Sequence, residues 1–153
     1  MNKIFRGMVT VITGASGGIG EAVALELARQ GTRLLLAGRS QEKLDLVTER
    51  ARHLSPKVET FAPGAQVTPS IRAVPLAGHT PGHSGYEIVS GDDRLLYIGD
   101  AMHSSLVSVQ RPELVNTWDS DSAAAVRTRQ GLLERGASES VRIYGVHFPF
   151  PGI

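Results

Sequence analysis

At 153 residues, 41% of them apolar and 20% charged, the chain is the size of one ordinary domain and apolar enough to bury a core, which excludes disorder as its default state. Sixteen Lys and Arg stand against fifteen Asp and Glu with no long run of either sign, so nucleic acid and anionic membrane are excluded as main partners. Cysteine is absent, which removes disulfides, thiolate metal sites and cysteine nucleophiles and leaves histidine and carboxylate to hold any metal.

The first residues turn glycine-rich too early for a signal-peptide core, and no apolar run approaches the roughly 18 residues of a membrane helix. A soluble, cytoplasmic protein is the expectation. Met8 to Thr13 (MVTVIT) predicts a short buried strand that runs into Gly14-Ala15-Ser16-Gly17-Gly18-Ile19-Gly20 and then EAVALELARQG: strand, glycine turn, helix. On that helix Ile19, Val23 and Leu27 recur every four residues with Ala24 and Ala28 flanking them and predict the apolar stripe, and Gly31 stops it. Thr32 to Ala37 predicts a second strand. Ser40 then caps a helix over residues 41–54, with Leu44, Val47, Ala51 and Leu54 as its apolar stripe and Pro56 as its end. The pattern is a right-handed βαβ unit plus one helix, with two parallel strands that need further strands beside them.

The glycines have distinct tasks. Gly14 permits the tight turn off the strand, Gly18 lets backbone approach a pyrophosphate, and Gly20 lets helix and strand pack; the helix N-terminus offers free amides to phosphate. Placed between strand and helix, TGASGGIG closely resembles the TGxxxGxG cofactor-binding opening of the short-chain dehydrogenase/reductase family, and the resemblance runs from about Lys3 to about Thr60. It implies a dinucleotide site at Gly14, Ser16, Gly18, Ile19 and Gly20. Because the second strand ends in Gly38-Arg39 and not in an acidic residue, it implies NADP, with Arg39 and Ser16 on the 2′-phosphate. The alternative is a packing turn with Arg39 as a solvated loop charge. The family's later parts, a third strand with its Asp, an NNAG-type segment, a catalytic Ser and a Tyr-x-x-x-Lys, do not follow: Tyr86, Tyr97 and Tyr144 each lack a Lys four residues on. Hydride transfer by that mechanism is therefore not expected.

Val58 to Pro69 (VETFAPGAQVTP) reads as a seam between two patterns. Beyond it Ile71 to Leu76 predicts a strand leading into Gly78-His79-Thr80-Pro81-Gly82-His83-Ser84. Ser84 to Ser90 and Arg94 to Ile98 predict a hairpin turning at Gly91-Asp92-Asp93, and its second strand ends in Gly99-Asp100. A helix from Asp119–Ser122 to about Arg135, ended by Gly136, precedes a last strand over 141–145 that delivers His147. His83, Asp100 and His147 thus gather near strand ends, and two imidazoles with a carboxylate suit zinc, manganese or iron.

GHTPGHS, YIGDA and VHFPFPG in this order resemble the C-terminal half of the metallo-β-lactamase-fold hydrolases, nearest the branch that holds methyl parathion hydrolase and lactone-degrading enzymes. FAPGAQVTPSIRAV, VQRPELVNTWDSD and HFPFPGI extend the likeness over about Phe61 to Ile153. The resemblance implies His83 and His147 as metal ligands and Asp100 as a bridging carboxylate, with His79 shaping its loop and His103 and His53 at the surface or in packing. The family's HxHxDH loop has no counterpart in these residues, so three ligands hold at best one ion with an open position.

The expected fold is α/β: one composite layered domain with a mixed sheet, in which fragments 1–60 and 61–153 share one core. The join has the character of recombination, more that of the laboratory than of a genome, with little or no turnover. The alternatives are a weak metal-dependent hydrolase of esters, lactones or organophosphates, and an NADP-binding module without chemistry. A homodimer fits an unpaired sheet edge.

Overall fold

A computed structural model describes residues 4–38, 40–54 and 58–153. The chain divides into two compact units, Met1–Phe61 and Ala62–Ile153. Among the described residues, no helix is long and apolar enough to cross a membrane.

In the first unit, β1 (Val9–Ile12) and β2 (Arg33–Leu36) pair in parallel around α1 (Gly18–Arg29), as the βαβ pattern requires. Ser40 caps α2 (Gln41–Arg52) by accepting from the Lys43 amide at 3.3 Å. Leu44, Val47 and Ala51 of α2 are buried as their spacing predicts, while Leu54 lies beyond the helix and is exposed. Pro56, the expected helix stop, is outside the described residues. On α1 the buried residues are Ala24, Leu25 and Ala28; Ile19 is 85% exposed and Val23 is exposed too. The flanking Ala24 and Ala28 are thus the centre of the buried face, with Leu25 beside them and Leu27 packed against its edge, so the stripe is rotated away from Ile19 and Val23. The unit's cluster joins these residues to Ile12, Ala15, Leu34, Leu36, Leu44 and Val47.

The seam contributes strands on both of its sides. Its start, β3 (Val58–Thr60), pairs in parallel with β2, giving the order β1-β2-β3; a third parallel strand, not expected from the sequence, is therefore present. Its end, β4 (Gln66–Thr68), pairs antiparallel with β5 (Ile71–Pro75). Three-residue strands carry too little alternation to stand out in sequence.

The second sheet runs β4-β5-β6-β7-β8, with β6 (Ser84–Ser90), β7 (Asp93–Tyr97) and β8 (Arg142–Tyr144). Its pairings are antiparallel except the last, β7 with β8, which is parallel. The α/β class holds, but among the described residues the strands form two sheets where one mixed sheet was expected. The physical reason lies in the seam, which supplies β3 to one ladder and β4 to the other and so satisfies each backbone locally. Between β7 and β8 come a short helix α3 (Val107–Gln110) and α4 (Ser122–Glu139), capped by the Asp121 carboxylate, which accepts from the Ala124 amide at 2.9 Å. Gly136 does not end α4. A Cβ there would come 2.9 Å from Ile143 Cδ1, so the glycine marks close packing on β8, and the helix ends at Ser140 in the left-handed conformation. Leu76, Leu96, Ile98, Met102, Leu132 and Val141 form this unit's core cluster with Ala101.

Candidate metal centre

The parallel pairing of β7 and β8, with Tyr97 opposite Tyr144, sends both chains off the same rim of the sheet. Just beyond β7, a single 3-10 turn, Gly99–Ala101, carries Asp100. Beyond β8, a turn closed by the Phe148 amide on the Gly145 carbonyl at 3.0 Å carries His147. The two meet: His147 Nε2 and Asp100 Oδ1 lie 2.8 Å apart. His103, three residues past Asp100, completes a group in which one ligand atom from each of Asp100, His103 and His147 lies within 4.8 Å of the others. The rings of His103 and His147 stack at 4.9 Å between centroids and 21° between planes.

Burial alone would raise the Asp100 carboxyl. The His147 hydrogen bond and the neighbouring imidazoles of His79, His147 and His83 outweigh it and hold the group below its ordinary value. Burial, reinforced by His147 and His79, lowers His103 against the pull of Asp100 and Asp119.

His83 sits on the same rim but outside that group. Its Nδ1 lies 3.1 Å from the Leu76 carbonyl and its Nε2 accepts from the Asp100 amide at 3.1 Å, so both ring nitrogens are engaged by backbone. Burial lowers its pKa despite the Leu76 bond and the charge of Asp100. The structure therefore brings together Asp100 and His147 of the expected trio and adds His103, which the sequence places at the surface or in packing. Its signal was available: Asp100 and His103 are three residues apart just past a strand end, one turn's spacing. His79 shapes its loop as expected, its Nδ1 lying 3.3 Å from Asp119 Oδ1. Arg129 Nη1 donates to the other Asp119 oxygen at 2.9 Å, and its Nη2 and Nε donate to the Leu114 and Pro112 carbonyls at 2.9 and 3.2 Å. That buried pair pins the segment beside His103. His53 is exposed at the end of α2, 3.5 Å from Glu49.

A carboxylate and two imidazoles suit zinc, manganese or iron. Ligand atoms about 3.4 Å apart surround a tetrahedral zinc with bonds of ~2.1 Å, so a group spread over up to 4.8 Å has to draw together to hold one ion. Beside the group, a cleft of about 430 Å³ opens between His103, Val107, Leu114, Val115, Trp118 and Arg129.

At the glycine turn of the first unit, Gly14 and Gly18 take φ of +64° and +56°, and a Cβ on Gly20 would lie 2.3 Å from the Gly14 carbonyl oxygen. Gly17, the N-cap of α1, provides no side-chain cap, and a Cβ on Gly17 or Gly18 would meet nothing within 4 Å. Ser16 Oγ lies at the end of β2, 2.7 Å from where a Cβ of Gly38 would be. A helix start without a side-chain cap fits a phosphate. Arg39 lies outside the described residues.

Residues 8–74 match the short chain dehydrogenase family, and the match ends inside β5 of the second sheet. A 53-residue stretch is 57% identical to the 11-beta-hydroxysteroid dehydrogenase A of Sesamum indicum, covering 34% of this chain and 15% of that protein. Over 80% of this chain, the fold is like that of AidC, a dizinc quorum-quenching lactonase, matching 50% of that chain with a TM-score of 0.62 at 19% identity. It is also like the hydrolase AbOPH of the beta lactamase superfamily, with a TM-score of 0.57 at 27% identity over 94% and 48%. The chain is a composite: a stretch like the short-chain dehydrogenases in sequence within a fold like that of these hydrolases. The composite spans about half of each hydrolase it resembles and less than a fifth of the sesame dehydrogenase. Its rim of Asp100, His103 and His147 lies wholly in the second unit, and its glycine turn wholly in the first.

Proposed function

We propose that the composite arose by recombination and keeps two remnants: a partial metal centre at Asp100, His147 and His103 that holds one divalent ion, and an NADP-cradling turn at Gly14, Ser16, Gly18, Ile19 and Gly20 that does no oxidoreductase chemistry. Its activity is slow hydrolysis of an ester, lactone or organophosphate. One observation carries this reading, the 2.8 Å approach of His147 to Asp100 on the rim where two parallel strands end.

A bound ion would supply Lewis-acid polarisation of a carbonyl or phosphoryl oxygen. The chain's own residues do the rest. Asp100, held below its usual pKa, stays ionised through the neutral range, while the apolar wall of Val107, Leu114, Val115 and Trp118 receives the substrate's apolar portion. Turnover is low because three side chains replace the fuller set of a two-metal site, which leaves charge in the transition state undercompensated.

The test is calorimetric zinc titration with a parallel assay on an aryl ester, a homoserine lactone and a phosphotriester. Zinc uptake lost in His147→Ala, with any hydrolysis lost alongside, is the expected result. Uptake unchanged in His147→Ala and in Asp100→Asn would sink the metal centre. For the nucleotide turn, NADP should raise the melting temperature of the wild type and not of Gly18→Val, because a ligand that binds only the folded state stabilises it by mass action.

A further inference from the structure

His103 reaches the rim with one of its nitrogens already committed. Its Nδ1 lies 3.1 Å from Asn116 Nδ2. The amide's orientation is fixed from its other end, because the backbone N–H of Trp118 can only donate, and it donates to Asn116 Oδ1 at 3.2 Å. A further bond from the Asp119 amide to the Asn116 carbonyl at 3.2 Å holds the turn itself. Asn116 must therefore present its NH2 to His103, and Nδ1 must accept.

We infer that Asn116 is a positioning residue that latches His103 in the tautomer with its proton on Nε2. Resting on the metal-centre reading above, the consequence is that the latch opposes the ion. Nε2 is the nitrogen left for the group with Asp100 and His147, and in the latched form it carries a proton and has no lone pair to give. For Nε2 to ligate, the proton must move to Nδ1, and Nδ1–H then needs an acceptor. Turning the Asn116 amide to supply its oxygen would break the Trp118 bond. An aspartate at 116 has oxygens for both the Trp118 amide and Nδ1–H, and a carboxylate behind a ligating imidazole strengthens metal binding.

The test starts on the full chain without metal, by long-range proton–nitrogen NMR of histidine-labelled protein, with His103 assigned by its loss in His103→Gln. The wild type should show the proton of His103 on Nε2, and Asn116→Asp should move it to Nδ1. Zinc titration by calorimetry should then show Asn116→Asp binding about 10-fold more tightly than wild type. In a His103→Gln background the same change should leave zinc affinity unaltered, which separates the tautomer from the added charge. A wild-type His103 protonated on Nδ1 overturns the latch and needs no variant to fold; equal zinc affinity in wild type and Asn116→Asp overturns its hold on the ion. If neither protein takes up zinc while Nε2 carries the proton, the metal centre fails and the latch stands.

Discussion

His83 and His147 stand on one rim and yet invite opposite expectations. His83 is partly buried and bonded through both nitrogens to backbone, so its imidazole works as a strut between the Leu76 carbonyl and the Asp100 amide. His147 is more open and bonds to a carboxylate. His83→Ala should therefore cost the second unit about 2–3 kcal/mol in urea unfolding, two backbone groups losing their partners, and His147→Ala should cost much less while abolishing zinc uptake. The pH dependence follows from the same burial. Both His83 and His103 have folded pKa values below the ordinary one, so as pH drops below about 6.5 the unfolded chain takes up protons that the folded chain refuses. Stability is full above that pH and is lost as pH falls toward the depressed values. Urea midpoints at pH 7.5 and 5.5 check the sign, and His83→Ala should shrink the difference.

At the scale of elements, two glycines make a contrast that magnitudes decide. At Gly20 an added Cβ meets the Gly14 carbonyl at 2.3 Å, backbone that cannot yield without pulling α1 off β1. Gly20→Ala should destabilise the first unit by at least ~2 kcal/mol. At Gly136 the Cβ would meet the flexible end of Ile143, and alanine gains about 1 kcal/mol in helix propensity over glycine. Gly136→Ala should leave the second unit's stability within about 1 kcal/mol of wild type, the two effects offsetting. The loop before α4 depends on the Arg129–Asp119 pair, whose side chains are 4% and 0% exposed. Asp119→Ala would leave that guanidinium buried without its carboxylate and should cost roughly 3–5 kcal/mol. Trp118 fluorescence would report it first.

For the whole molecule the question is cooperativity. A three-stranded parallel unit of about 60 residues is marginal by itself, and we expect the composite to unfold in one transition. Heating followed by far-ultraviolet circular dichroism and by Trp118 fluorescence should give coincident midpoints, both raised by zinc. Separate midpoints would mean that the units fold independently. Sedimentation would settle the proposed homodimer.

Much of this was legible along the chain. The strand–turn–helix opening, the Ser40 cap, the hairpin over β6 and β7 and the placement of Asp100 and His147 past strand ends all follow from local rules: periodicity, capping chemistry and the residues that turns demand. These rules act over a few residues, so one sequence suffices to read them. What tertiary structure alone decided was contact between distant positions. It chose Ala24, Leu25 and Ala28 over Ile19 and Val23 for the buried face of α1, split the seam between two sheets, and grouped the His103 ring, not that of His83, with the side chains of Asp100 and His147. Each of those outcomes depends on which backbone groups and side chains reach one another across long loops, and spacing in the chain carries no measure of that distance.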